Sequence, residues 1–553
     1  MGKWATFIIL HCSSIIGILF AQPSSSNKVY HQAYQKYYQK RYSEAIPLFE
    51  QAIKNHPNED KMAYSCLGYS YYMEKLYEKA IKMYEYSLDH FPDINTGHSI
   101  RMLAFCYHQM GDYKKSLEYC ELYEALISQL KKFNLTPKEN QENEQTISYI
   151  KQKNQQELKS ISIRNQLKSH PIAAKITPIT ILNDDTDDIA PCISVDESTL
   201  FFTSYRKREK STYNSHSEQW DGNIYVSYST NNGLTWSKPM SIHSNINTTN
   251  QEGPCALTLD GSTMYYYTWF EGTGGDIVES TIQNGVWSKP KRLPDVINTD
   301  LWESQPTISP DGNLLIFVRS EGYAKPSDLW YSVKDASGKW TPAKNMGSLI
   351  NSEMSEMSPY LHIDGKTLYF SSNGHSTMGG YDIFKTTLLP DGTWSKPENV
   401  GYPINSEKDD QYFVLNASGT KAYLSSNRDS PNNKMNLYQI ELPESFKTQN
   451  VTVITGTIKD ELTDKPLISK IVVEDLQSHK TQILYSNDKG KFTVVLPHSH
   501  KYGIKIEKMN YESKYAIFEV NKNFQFIKKM IKLRSIEKPG GLDLRKKDEL
   551  SGF

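Results

Sequence analysis

Five carboxylates recur in this 553-residue sequence at one place in a repeating stretch. They are Asp188, Glu252, Glu303, Glu356 and Asp409, each two or three residues ahead of a short strand-like run. Acidic side chains converging from equivalent positions could hold a cation or the basic groups of a partner. The alternative is that each caps its own turn, the commoner use of a polar residue that repeats with its unit. Other reactive types are sparser. Beyond Cys12 stand Cys66, Cys106, Cys120, Cys192 and Cys255. An odd number leaves one thiol unpaired in an exported chain, and none forms a C-x-x-C pair, so no zinc site is expected. Cys192 and Cys255 each follow a repeat-start proline; they are either bridged or left as two buried thiols. There is no G-x-S-x-G, H-E-x-x-H, phosphate-loop or G-x-G-x-x-G pattern. The expectation is a chain with no catalytic residues, no metal and no cofactor.

The elements that must position these residues come from the repeat itself, between Ile181 and Leu442. Each unit opens on an Ile-Asn phrase (Ile246-Asn247, Ile297-Asn298, Ile350-Asn351, Ile404-Asn405), with a degenerate copy at Leu182-Asn183. A Ser-x-Asp-Gly-type turn and a β-branched or aromatic run follow, as in Thr367–Ser372 and Lys421–Ser426. Trp236, Trp287, Trp340 and Trp394 close four units at spacings of 51, 53 and 54 residues. A period of that size, rich in short strands and tight turns, predicts a β-propeller with one four-stranded blade per unit. Five blades are legible, and a sixth would have to lie in the flanks. These residues resemble the WD-like repeats of TolB-type propellers. In one blade Ser229, Asn231, Gly233, Thr235 and Trp236 resemble the Asp-box hairpin found in sialidases, which is a structural turn. A sialidase would also need clustered arginines; Arg206, Arg208, Arg292, Arg319 and Arg428 are present, but at different repeat positions.

Upstream the periodicity becomes helical. Tyr64, Leu67, Gly68, Tyr71, Ala80, Tyr84 and Pro92 hold the spacing of the tetratricopeptide repeat. Ala33, Ala45, Phe49 and Pro57 precede them, and Leu103, Ala104, Tyr107, Ser116 and Cys120 follow. The sequence thus resembles three such repeats, with the polar stretch Thr136 to Ile163 as the cap. The resemblance implies a concave groove for a peptide or helix. Its residues would be Tyr30, Tyr34, Tyr37 and Tyr38, then Met62, Tyr69, Tyr72 and Met73, then His98, Arg101, Phe105 and His108. The other reading of these rings is packing on the seams between repeats.

Past Pro443 the repeat ends. Thr455 to Asp460, Lys470 to Glu474 and Asn487 to Pro497 read as half-buried strands joined by turns. The series resembles the carboxypeptidase regulatory-like domain, a seven-stranded sandwich without catalytic residues. At the other end, Lys3, the apolar run from Phe7 to Phe20 and Ala21 read as a secretory signal peptide. A net charge of −1 gives no reason to expect nucleic acid.

The expected chain is multidomain α + β. A signal peptide (1–21) precedes an α-helical solenoid (27–165), a five- or six-bladed β-propeller (176–445), a small β-sandwich (451–534) and a frayed tail (535–553). That order resembles periplasmic, outer-membrane-associated proteins of Bacteroidetes, including components of type IX secretion. Those proteins carry an OmpA-type domain where this sequence stops, so peptidoglycan anchoring is not expected to carry over. The resemblance implies a non-enzymatic, exported scaffold that binds envelope proteins or peptides and does not span the membrane after cleavage. The alternative is a carbohydrate-binding or sialidase-like propeller.

Overall fold

The computed structural model describes residues 27–536, apart from 58, 92–95, 131–135, 208–212, 215–218, 270–273, 284, 322–324, 449–450 and 498. The signal-peptide reading and almost all of the expected tail lie outside the described residues, as does Arg208. The chain divides into two compact units, Met1–Ser162 and Ile163–Phe553. Among the described residues no helix is long and apolar enough to cross a membrane.

The first unit is built from helical hairpins. Helices α1 (Lys28–Tyr38) and α2 (Tyr42–Asn55) form one, α3 (Met62–Met73) and α4 (Tyr77–His90) the next, α5 (Thr96–Gln109) and α6 (Tyr113–Leu130) the third. Small residues where helices cross, and rings beside them, make one continuous core that includes Ala33, Phe49, Ala80, Tyr84, Ala104 and Cys120. Gly68 shows why the crossing needs a glycine: a Cβ there would sit 3.0 Å from two ring carbons of Tyr84. Helix α7 (Pro137–Ser169) starts on a reciprocal cap, in which Thr136 Oγ1 accepts from the Glu139 backbone N–H and Glu139 accepts from that of Thr136. It buries Ile147 and Ile150 and covers the last hairpin through polar contacts. The Tyr123 hydroxyl donates to Asn143 (2.6 Å) and Asn154 Nδ2 to Ser116 Oγ (2.8 Å).

The second unit contains five antiparallel blades. Their inner strands are Asp188–Ile193, Glu252–Leu257, Trp302–Ile308, Glu356–Leu361 and Asp410–Leu415. Each pairs outward with a second and then a third strand. The outermost strand follows the third in sequence in blades 1 to 4. In blade 5 it is instead Lys175–Pro178, from before blade 1, paired antiparallel to Asn436–Glu441. The inner strands contact one another in cyclic order, with blade 5 against blade 1. The ring therefore closes at five blades, which settles the count the sequence left open.

The Ile-Asn phrase has a mechanical role in that ring. In every unit the asparagine amide clamps one residue of a third strand, accepting its N–H and donating to its C=O. Asn247 holds Ile224 (2.9 and 2.7 Å), Asn298 holds Ile277 (2.9 and 2.8 Å) and Asn351 holds Leu329 (2.8 and 3.0 Å). Asn405 holds Ile383 (2.7 and 2.9 Å), and Asn183 holds Leu437 of blade 5 (2.7 and 3.0 Å). The amide satisfies the buried N–H and shares the C=O with a backbone N–H, such as that of Leu293 on Ile277 (3.1 Å).

The sandwich has seven strands in two sheets. Val451–Asp460 lies between Lys491–Pro497 and Gln525–Leu533, parallel to the latter. The other sheet runs Thr481–Tyr485, Lys470–Asp475, Lys501–Glu507, Lys514–Glu519. Ile458, Ile471, Phe492, Leu496 and Leu533 fill the space between them. Val451, Val453 and Val495 pack on Val195, Leu259 and Ile363, which follow the inner strands of blades 1, 2 and 4. The sandwich thus sits over one end of the propeller axis.

Candidate functional site

The five expected carboxylates do not form an open ring. Asp188, Glu252, Glu303 and Glu356 begin their inner strands and are fully buried. Each folds back on the turn four residues earlier. Glu303 accepts from the Thr299 N–H (3.0 Å) and hydroxyl (2.6 Å), and Glu356 from the Ser352 N–H and hydroxyl (both 2.7 Å). Glu252 does the same with Thr248, and Asp188 accepts from the Asp184 N–H (2.8 Å). In blade 5 the equivalent residue is Asp410, not Asp409. Asp410 is fully buried and accepts from the Ser406 N–H (2.6 Å) and hydroxyl (2.8 Å). Asp409 is half-buried, and its carboxylate accepts from the Tyr381 backbone N–H (3.0 Å). A charged carboxylate so deep needs a partner, and arginines supply it in three blades: Arg206 to Asp188 (2.7 Å), Arg319 to Glu303 (2.7 Å) and Arg428 to Asp410. Arg292 pairs with Asp276 (2.9 Å). The described arginines of the sialidase alternative are thus held inside blades, away from any shared carboxylate pocket.

The Asp-box hairpin is a turn of the kind the sequence suggests. Asn231 Oδ1 accepts from the Ser229 hydroxyl and the Thr235 N–H (both 2.9 Å), Ser229 Oγ accepts from the Gly233 N–H (2.9 Å), and Trp236 packs edge-on to Tyr423.

Every inner strand carries a bulge near its middle. In four blades the bulged residue is non-glycine and left-handed: Ala190, Gln305, Ser358 and Tyr412, with φ between 52 and 56°. Below this layer a cavity of about 1060 Å³ runs to the sandwich, lined among others by Cys192, Cys255, Lys489 and Lys529. Cys192 and Cys255 are adjacent and carry no disulfide. The neighbouring Cys192 sulfur, with burial, raises the pKa of the Cys255 thiol well above its usual range.

In the helical unit the expected groove is only partly a surface. Tyr30, Tyr34 and Tyr37 are core residues. The Tyr30 hydroxyl donates to the His56 carbonyl (2.9 Å), Tyr34 packs edge-on to Phe49 (5.1 Å between centroids), and Tyr37 meets both Phe49 and Tyr69 (6.3 and 6.0 Å). Neighbouring repeats bring these rings into the seam between them, and three large rings on one short helix fill it. Buried His98 is likewise inside, and burial pulls its pKa down to about 3. What stays accessible is Tyr38, at 49% exposure, and exposed Met73, with half-buried Met62, Tyr69, Tyr72, Arg101, Phe105 and His108. Tyr38, Tyr37, Tyr69 and Tyr72 run ring to ring at 5.6, 6.0 and 6.4 Å. His108 faces α7, with Nδ1 3.0 Å from Asn154 Oδ1.

The sequence reading missed the aromatic residues around the start of the inner strands: Tyr205, Trp269, Trp302, Tyr381 and Tyr412. Tyr205 and Trp269 stand where blades 4 and 5 carry Asn373 and Asn427.

A tetratricopeptide repeat family model matches residues 29–59. The first unit is a tetratricopeptide-like array. No curated protein matches the chain. Among solved structures, the chain is similar to a putative TolB from Agrobacterium tumefaciens (15% identity, TM-score 0.30, covering 59% of this chain and 97% of that one). It is similar also to TolB from Acinetobacter baumannii (12%, 0.28, 47% and 56%) and to the catalytic domain of a Coprinopsis cinerea GH62 α-L-arabinofuranosidase (12%, 0.35, 49% and 97%). No activity or partner transfers at that level of similarity.

Proposed function

We propose that this chain is a non-enzymatic, exported scaffold of the cell envelope that binds a protein partner along the tetratricopeptide-like groove. The observation that carries the reading is the strip of accessible Tyr38, Tyr69 and Tyr72, joined ring to ring through buried Tyr37 and linked to Arg101 through His98, which lies 6.2 Å from Tyr69 between centroids and 3.4 Å from the guanidinium. Aromatic rings supply large contact area at low entropic cost, and an arginine beside them adds directional hydrogen bonding. The export component rests on the apolar N-terminal run. A glycan hydrolase, the competing reading, needs two carboxyl groups facing bound sugar. The repeat-borne carboxylates instead hold their own turns and arginines.

The test is a cross-linked pull-down from the native envelope with the mature chain tagged at its C-terminus, comparing wild type with the Tyr38→Ala/Tyr72→Ala double variant. Envelope proteins captured by the wild type and lost with the variant, at unchanged helical content, are expected. Equal capture by both would refute groove binding.

A further inference from the structure

The face that the sandwich turns to the propeller changes chemistry from row to row. Side chains two apart on a strand share a face. On that face Val453 is flanked by Val495 and Phe526, and this apolar row packs on Val195, Leu259 and Ile363. One step further along, Thr455 is flanked by Thr493 and Lys528; one step beyond that, Thr457 is flanked by Lys491 and Met530. All six residues of these two rows line the cavity of about 1060 Å³. The sandwich therefore grips the propeller with one apolar row and turns a polar, basic wall to the cavity beside it.

The propeller wall of the same cavity is apolar. Phe201, Val226 and Trp287 belong to a core shared by blades 1 and 2, and Cys192, Cys255 and Ile282 join that core while only partly buried. All of them line the cavity. Tyr228, Met240 and Met530 line it too, at 49, 52 and 65% exposure. Large apolar side chains gathered in the light of solvent around one concavity mark a ligand site more often than a bare surface.

The charge is one-sided. Lys489, Lys491, Lys528 and Lys529 line the cavity from the sandwich, and Asp196 and Asp260 from the propeller. Both carboxylates serve their own hairpins. Asp196 Oδ1 accepts from the Ser194 and Ser198 hydroxyls (2.8 and 2.7 Å), and Asp260 Oδ1 from those of Thr258 and Ser262 (2.7 and 2.8 Å). Against desolvation by burial, the Ser198 and Ser194 hydroxyls and the charge of Lys491 hold Asp196 below its usual carboxylate range. Lys528 stands 5.8 Å over the Phe526 ring. Among the described residues none of the four lysines is in direct contact with a carboxylate.

We infer that this cavity binds a single-chain amphiphile with an anionic head, its chain against Phe201, Val226 and Trp287 and its head beside Lys491 and Lys528. A neutral lipid would leave the basic wall unmatched, and a small hydrophilic anion would leave the apolar wall wet. The volume stands at the upper end of the range for ligand cavities. The site lies within the second unit and is independent of the groove reading.

The experiment titrates the mature chain by calorimetry with octanoate, decanoate and dodecanoate, and with decyl phosphate and decanol, each below its micellar concentration. Affinity for the carboxylates should rise about tenfold per two-carbon step, as burial of the chain requires. Decanoate or decyl phosphate should bind more tightly than decanol, the tighter of the two naming the head. Lys491→Gln/Lys528→Gln should remove most of that preference, and Met530→Glu should weaken the anions severalfold, at unchanged melting temperature of the unliganded chain. No binding of any amphiphile at millimolar concentration overturns the site. So does decanol binding as tightly as both anions, or a preference that the double lysine variant keeps. Capture on anionic phospholipid vesicles without binding of the monomeric amphiphiles would also overturn it, since that is adsorption to a surface and not entry into a cavity.

Discussion

Single residues in the propeller do more structural work than their type suggests. An asparagine clamp bonds both polar groups of one buried backbone unit, so Asn298→Ala leaves an N–H and a C=O at Ile277 without those partners. That substitution should cost about 2–4 kcal/mol, and Asn298→Asp should not rescue it, because a carboxylate cannot donate to the carbonyl. A urea-unfolding midpoint checks both. Asp382 makes a second case. Its Oδ2 accepts from the Met378 N–H (2.8 Å) and Asn399 Nδ2 (2.7 Å), and burial holds its pKa up to about 8, from an ordinary 3.8. Between those values the folded state keeps a proton that the unfolded chain releases, so this residue's contribution to stability falls as the pH rises through that window. Asp382→Asn should flatten the fall in melting temperature from pH 5 to pH 9; an unchanged slope would refute the assignment. The sequence showed where these repeats lie but not what their polar residues do. An asparagine that marks a period looks the same whether it clamps a strand or faces solvent. The Asp409 reading was avoidable: Asn183, Asn247, Asn298, Asn351 and Asn405 each precede the buried carboxylate by five residues, and that count selects Asp410.

At the scale of elements, periodicity fixed the helices and repeat spacing fixed the blades, because both follow from which faces must be apolar. The groove was less legible. Spacing says which side of a helix a tyrosine occupies, but not whether a neighbouring helix covers it, and in the first hairpin Tyr30, Tyr34 and Tyr37 are covered. The crossing at Gly68 gives an element-level prediction. Tyr84 is fully buried and its ring cannot withdraw freely, so Gly68→Ala should destabilise the helical unit by about 1–3 kcal/mol despite the better helix propensity of alanine. Thermal melting followed at 222 nm measures it; a stabilised array would show that the ring yields.

For the whole molecule, the order helical array, propeller, sandwich matches the fold class expected from the sequence, and the structure adds how the last two join. The sandwich covers one end of the propeller axis. Blade 5 borrows its outer strand from the segment before blade 1, with Lys175 reaching Glu441 across 266 positions of sequence. Closing a loop that long is entropically costly and slow compared with forming a hairpin. During synthesis, the strand that seals the ring is therefore among the first of the propeller to emerge and the last to find its mate. Until Asn436–Glu441 has followed it out, the nascent chain presents an unsealed sheet edge at each end, and a holdase chaperone has its target for that whole interval.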